Sequence, residues 1–234
     1  QNCREEKFNA FAEDIKKVQR AAPLLDRAER PRSHLAMTFP FHDRLYRFPE
    51  KRLPDGFIGL GYYGREQRPF DTTWPYHMAP INVAELLSRA FGEVDVIDQR
   101  SFHEGALEDY PAFMLNTTDY ITEEDAEAVR QYVERGGVLL CDHVPSHNTN
   151  GKQLHTLQAL FQGPSEHFYR HVTVTRGTYG EGRTLLFSDD INELYTSSIE
   201  KNQPQLRYLL KTTIREFLHS AGIRPHVFSA NYEV

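Results

Sequence analysis

Short apolar runs alternate with longer amphipathic stretches along this chain, and the alternation predicts an α/β fold. Buried strands are predicted at 35–39, 112–115, 138–141 and 184–187, and strands of alternating polarity at 93–97 and 171–175. Helices are predicted at 5–25, 80–91, about 123–135, 152–161 and 204–220. Apolar strands separated by helices indicate a mostly parallel sheet with helices on both faces. The turn before residue 184 adds an antiparallel element at one side.

The ends and faces of two helices can be predicted from single residues. Thr122 is the expected N-cap of the helix near 123, with Asp125 three residues further on, and Gly136 follows the end of that helix. In the helix at 80–91, Ile81 and Leu87 are expected to face inward because their spacing places them on one side.

The first predicted helix carries an apolar seam. Phe8, Phe11, Ile15 and Val18 recur at alternating spacings of three and four residues, which is typical of a helix face that packs against another surface. That surface is either the chain's own domain or a neighbouring domain or subunit. No linker composition divides the remainder, so we predict a linker helix in residues 1–30 and one α/β domain in residues 31–234.

An irregular segment at 44–75 is rich in proline, glycine and aromatic residues. A loop of this length is usually functional or an insertion. Its aromatic side chains, and those just after it, can stack on a sugar ring or fill a groove against a neighbouring domain or subunit. We favour the interface interpretation for Tyr62, Tyr63, Trp74 and Tyr76.

Composition excludes several classes of partner. The chain has 234 residues, of which 39% are hydrophobic and 26% charged, and its formal net charge is −6. The basic residues form no stripe that would neutralise phosphates, so no nucleic acid partner is predicted. The apolar runs are too short to span a membrane. The two cysteines, Cys3 and Cys141, support no disulfide framework, and neither they nor the N-terminus indicates a cellular compartment.

Three stretches resemble a known family. The run YPAFMLNTTDYITEEDAEAVRQYVERGGVLLCDHVPSHN, the later YGEGRTLLFSDDINELY and the opening AFAEDIKKVQRAAPLLDRAERPRSHLAM together resemble the β-galactosidase trimerisation domain of glycoside hydrolase family 42. The helix–Gly–Gly–strand unit also occurs in trehalose-utilisation-type proteins. The resemblance implies a three-layer, flavodoxin-like sheet of the class I glutamine amidotransferase-like type, excised from a larger glycosidase.

The resemblance also implies that the amidotransferase nucleophile is missing. Active members place a cysteine in a G-x-C-x-G elbow, and the glycines permit the strained turn that exposes the thiol. Asp142 falls at that position here, with no flanking glycine. Cys141 lies one residue earlier and is interpreted as a core residue. The histidine of the family's F-H-P-E run is replaced in the run that begins at Phe187, so no catalytic residue is predicted.

Polar residues nevertheless follow the predicted strands, where ligands bind in open α/β sheets. The candidate pocket residues are His42, Asp43, Asn116, Thr117, Asp142, His143, Ser146, His147, Asp189 and Asp190. Imidazoles and carboxylates that converge can hold a divalent metal or perform acid–base chemistry. They can also serve only as helix caps and loop hydrogen bonds. The spacing is no recognised metal signature, so neither a metal nor a cofactor is predicted.

Two functions of different classes therefore stand. The first is a non-catalytic assembly domain of a β-galactosidase-like glycoside hydrolase, with the other domains of that enzyme and further copies of the chain as partners; the trimer comes from the resemblance alone. The second is a sugar- or metal-binding module or a small, trehalose-utilisation-like hydrolase that uses the Asp142/His143 strand end.

Overall fold

The structure is a computed structural model that describes residues 32–40, 74–116 and 118–225, with backbone only for residues 74–80. Its strands are β1 Leu35–Phe39, β2 Asp95–Asp98, β3 Ala112–Leu115, β4 Tyr120–Ile121, β5 Val138–Cys141, β6 His147–Asn148, β7 Ser165–Tyr169, β8 Val172–Tyr179 and β9 Gly182–Phe187. Its helices are α1 Trp74–Ala90, α2 Glu123–Glu134, α3 Ile191–Glu200 and α4 Pro204–Ser220. Short 3₁₀ turns occupy Gln99–Ser101, Ala106–Asp109 and Gln158–Phe161.

Seven strands form one sheet in the order β2-β1-β3-β5-β9-β8-β7. The five strands from β2 to β9 are parallel, and β8 and β7 add an antiparallel hairpin at one side. Strands β4 and β6 form a separate two-stranded parallel pair. The direction of winding reverses between β1 and β3, as in flavodoxin-like sheets. The predicted α/β sheet is therefore confirmed.

Alternate residues of each central strand face two different cores. On β3, Ala112 and Met114 pack against the layer formed by α1, α3 and α4, whereas Phe113 and Leu115 pack against α2 and the 3₁₀ turns. All four side chains are fully buried. This burial on both faces explains why the strand is continuously apolar rather than alternating, and it makes the domain three-layered.

The predicted helix caps are confirmed, but one predicted inward residue is wrong. The Thr122 side chain accepts a hydrogen bond from the Asp125 backbone N–H, as expected of an N-cap. In α1, Leu87 is fully buried as predicted, whereas Ile81 is 59% exposed, and the inward face also includes Val83 and Leu86. The helix begins at Trp74, earlier than the predicted residue 80.

The predicted helix at 152–161 is wrong. Only the 3₁₀ turn Gln158–Phe161 forms there. Gln153 instead pairs with His147 in an isolated β-bridge, and the Leu154 backbone N–H donates to the Ser146 carbonyl oxygen at 2.8 Å. Backbone groups paired in this way are not available for a helix. The sequence also did not predict α3, the exposed edge strand β7 or the two-residue strands β4 and β6.

Other predictions lie outside the described residues. They are the linker helix of residues 1–30 with its apolar seam, and the irregular segment before Trp74. No helix in the described ranges combines the length and apolarity that crossing a membrane requires.

Candidate functional site

Strand β5 ends in a buried thiol. Cys141 is 0% exposed and its Sγ donates to the His143 carbonyl oxygen at 3.0 Å. Burial, followed by the neighbouring Asp142 carboxylate, raises the pKa of this thiol well above its usual value. A nucleophile elbow also requires a helix directly after the strand, yet within 118–225 the next α-helix after β5 is α3. The thiol therefore has neither the thiolate character nor the position of a nucleophile.

The acidic residues predicted at the strand ends gather around the first turn of α3. Asp142 is 4% exposed, and its Oδ2 accepts from the Ile191 backbone N–H at 3.3 Å. Asp190 is the N-cap, and its Oδ1 accepts from the backbone N–H groups of Asn192 and Glu193 at 2.8 and 3.1 Å. Carboxylates at a helix N-terminus satisfy free N–H groups and complement the helix dipole. Both acids therefore act as caps in this structure.

The predicted histidines lie in a second cluster beside strands β4 and β6. His143 Nε2 is 2.8 Å from Asp119 Oδ1, and the Ser146 hydroxyl donates to the same oxygen at 3.3 Å. His147 Nδ1 lies 2.8 Å from the Ser146 hydroxyl. A catalytic triad needs the hydroxyl to donate to an imidazole that in turn donates to a carboxylate. Among the described residues the imidazole beside the Ser146 hydroxyl is that of His147, whereas the one paired with Asp119 is that of His143, so no single imidazole links the hydroxyl to the carboxylate.

Asn116 is the most unusual of the predicted residues. It directly follows β3, is 0% exposed, and neither its Nδ2 nor its Oδ1 has a hydrogen-bond partner. The strand register pairs Leu115 with Cys141, which places Asn116 beside Asp142 at the same edge of the sheet. A buried amide without partners is destabilising.

The described members of the predicted set lie in several separate contacts. Asp189 lies apart, with its Oδ2 3.5 Å from His171 Nε2 and its side chain 39% exposed. The described residues contain no group of three or more histidine, cysteine, aspartate or glutamate side chains that converges as a metal site would. His42, Asp43 and Thr117 lie outside the described residues.

The predicted interface residues are largely outside the structure as well. Phe8, Phe11, Ile15, Val18, Tyr62 and Tyr63 are not among the described residues. Trp74 and Tyr76 belong to the first turns of α1, where the backbone alone is described. Their role in an interface therefore stays a prediction.

Sequence reasoning missed Asp119 and the buried Asp125. The Asp125 carboxylate accepts from Thr122 Oγ1 and pairs with His103 Nδ1, both at 2.6 Å. The hydrogen bond to Asp125 raises the pKa of His103. The sequence identified Asp125 only as part of a capping pattern. It could not show that His103, which lies in another loop, pairs with the Asp125 carboxylate.

The glycine motifs lie at the opposite, amino end of the strands and are explained by packing. A Cβ on Gly137 would overlap the Tyr132 ring, and one on Gly182 would overlap the Val133 carbonyl oxygen. Gly180, at φ +57°, would meet the Glu134 backbone in the same way. The end of α2 therefore sits directly on the turn between β8 and β9. We call this packed unit the amino-end glycine contact.

Fold and site together define a doubly wound α/β domain whose strand ends carry helix caps and loop ion pairs and, among the described residues, no exposed thiol. No protein-family model matches the chain, and no curated protein matches it in sequence. Solved structures do match it. A catalytic mutant of a GH42 β-galactosidase from G. stearothermophilus aligns with a TM-score of 0.60 at 12% identity, over 94% of this chain and 34% of that enzyme.

Two further enzymes align similarly. A β-galactosidase from Bacillus circulans sp. alkalophilus gives a TM-score of 0.52 at 13% identity, over 85% of this chain and 33% of that one. An exo-β-1,4-mannosidase from Opitutaceae bacterium strain TAV5 gives 0.52 at 13% identity, over 85% and 38%. The chain thus has the fold of a part of GH42 β-galactosidases and spans about a third of each of these larger glycosidase chains.

Proposed function

We propose that this chain is a non-catalytic assembly domain of a β-galactosidase-like glycoside hydrolase, of the trimerisation type within the class I glutamine amidotransferase-like superfamily. The observation that carries the proposal is the end of β5. Its only thiol is fully buried and donates to a backbone carbonyl, and the next residue, Asp142, caps a helix. The position at which this fold performs acyl transfer is therefore occupied by packing and capping contacts.

The comparisons supply the context for this proposal. The chain matches about a third of the length of two β-galactosidases and a mannosidase. In a glycosidase built from several domains, a domain without catalytic groups acts by positioning others, and association of identical subunits is the commonest form of such assembly. The proposed partners are accordingly the other domains of the parent enzyme and further copies of the same chain.

Sedimentation equilibrium over a wide range of protein concentration tests the assembly role. We expect a mass that rises to three times that of the chain, because assembly into trimers is the proposed function. A chain that remains monomeric at every concentration contradicts self-association.

Turnover assays test the non-catalytic part separately. We expect no hydrolysis of p-nitrophenyl β-D-galactoside and no release of ammonia from glutamine. Turnover that Cys141→Ala or Asp142→Asn abolishes, in a variant with the wild-type melting temperature, contradicts the proposal. Both substitutions are needed, since either residue is a candidate for the elbow position.

A further inference from the structure

An open cavity of about 640 Å³ lies between α1, the outer side of α3 and the start of β8. Its volume falls within the range of small-molecule sites, which is roughly 300–1,000 Å³. Asn82 contributes from α1, Asn192 and Thr196 from α3, and His171 from the turn before β8. Its lining includes Asp189 and Asp190 from the predicted strand-end residues, but neither Cys141 nor Asp142.

A hydrogen-bonded pair of amides forms one wall of the cavity. Asn82 Nδ2 donates to Asn192 Oδ1 at 2.8 Å and to Thr196 Oγ1 at 3.1 Å. Thr196 Oγ1 lies 3.5 Å from the same Asn192 oxygen. These contacts join α1 to α3 and fix the orientation of both amides before any ligand arrives, which lowers the entropic cost of binding.

The Asn192 amide has hydrogen-bonding capacity left over. Its residue is 4% exposed, and its oxygen is used by Asn82 and Thr196, but within the described ranges no group accepts from its Nδ2. Nδ2 is not among the fully buried atoms that lack a partner, so it still reaches the solvent in the cavity. It is therefore positioned to donate to an acceptor oxygen on a molecule in the cavity.

The other groups on the cavity wall select the class of ligand. Four carboxylates repel anions such as phosphate, namely those of Asp189, Asp190, Glu193 and Glu200, and Lys201 is the single lysine among the lining residues. Leu194 is their one aliphatic side chain, too little for an apolar ligand. A hydroxyl group both donates and accepts hydrogen bonds. A ligand rich in hydroxyl groups suits this wall, because each hydroxyl can donate to a carboxylate and accept from an amide or an ammonium group.

We propose that the cavity between α1 and α3 is a binding site for a neutral polyhydroxylated molecule, of the size of one monosaccharide, oriented by the Asn82–Asn192–Thr196 network. This site goes beyond the assembly function and does not rest on it. A domain that assembles but binds no sugar, or one that binds sugar and stays monomeric, would separate the two proposals.

NMR titration of the ¹⁵N-labelled chain with D-galactose, D-glucose and D-mannose, up to tens of millimolar, tests the site. We expect saturable shifts for at least one sugar, concentrated in the side-chain amides of Asn82 and Asn192 and in the backbone of α3. No saturable shift with any of the three sugars, or shifts located elsewhere, overturns the proposal. This readout uses the wild-type chain and does not depend on a variant folding.

Two variants make the test specific. Asn82→Ala and Thr196→Val each remove part of the network, and we expect each to weaken binding at least tenfold. Asn116→Leu is the matched control, since Asn116 is likewise a buried asparagine with unused hydrogen-bonding capacity but does not line the cavity. Equal affinity in Asn82→Ala and the wild type, or loss of binding in Asn116→Leu, contradicts the assignment.

Discussion

The two ends of the central sheet are built on different principles. At the amino end, Gly137, Gly180 and Gly182 let the backbone and the end of α2 approach so closely that no side chain fits between them. At the carboxyl end, polar residues are spread over several small contacts, and one amide, that of Asn116, has no partner among the described residues. The amino end is optimised for packing, whereas the carboxyl end tolerates unused hydrogen-bonding capacity.

This difference shows what the family-like sequence motif encodes. The YVERGG run and the YGEGR turn carry much of the resemblance to glycosidase domains, and they meet in the amino-end glycine contact. Arg130 strengthens the same region, because its guanidinium bonds to Glu127, Glu134 and the Tyr179 hydroxyl. These motifs therefore indicate how the backbone packs, and they carry no information about the polar residues at the carboxyl ends of the strands.

The largest predicted effect is at the amino end. Gly180→Ala should lower the free energy of unfolding by about 3 kcal/mol, because the new methyl group overlaps the Glu134 backbone as well as meeting an unfavourable φ. Gly151→Ala is the control, since Gly151 also has positive φ but open space, and should cost about 1 kcal/mol. Urea unfolding measures both. Equal losses in the two variants would show that the glycine contact adds nothing beyond backbone strain.

A smaller effect of opposite sign is predicted at the carboxyl end. Asn116→Leu keeps the approximate shape of the side chain and removes two unsatisfied polar atoms, so the free energy of unfolding should rise by about 1 kcal/mol. Chemical unfolding of wild type and variant measures the change. A loss of stability instead would mean that the amide has partners, such as buried water, and that the two ends are equally well satisfied.

The smallest effect concerns pH. The hydrogen bond to Asp125 raises the folded-state pKa of His103 above the usual 6.5. The protonated form is therefore favoured by folding, and this contribution to stability is complete below about pH 6.5 and disappears as the pH rises through the higher folded-state value. His103→Gln should accordingly destabilise the chain more at about pH 5.5 than at about pH 8.5.

Unfolding curves at the two pH values measure that difference, and His155→Gln is the control because His155 pairs only with the nearby Gln158 in the structure described. A His103→Gln effect that does not vary with pH would mean that His103 is bound to Asp125 without a preference for the protonated ring.

The sequence predicted more of the fold than of the site, for physical reasons. The strands Leu35–Phe39 and Ala112–Leu115 and the helix Pro204–Ser220 were placed correctly because their patterns are local and long enough to be decisive. The helix predicted over 152–161 failed because the start of that segment pairs with His147 and Ser146 instead. The edge strand β7 is exposed and only weakly patterned, so it gave no signal.

The site was harder to predict because partners come from distant parts of the chain. Asp142 and His143 are adjacent in sequence, yet one caps α3 and the other pairs with Asp119. The network of Asn82 with Asn192 joins residues more than a hundred positions apart. Asparagine carries no pattern that distinguishes such a contact from an ordinary surface residue, so only the structure shows it.

Thiol labelling of the Cys3→Ser variant tests the central claim most directly, because it reports on Cys141 alone. If β5 ends in packed core, Cys141 should react with 5,5′-dithiobis(2-nitrobenzoate) only as fast as the domain opens, and fully once the chain is unfolded in urea. Immediate reaction of the native, folded variant would place an accessible thiolate at the strand end. That result would contradict a domain that works by contact alone.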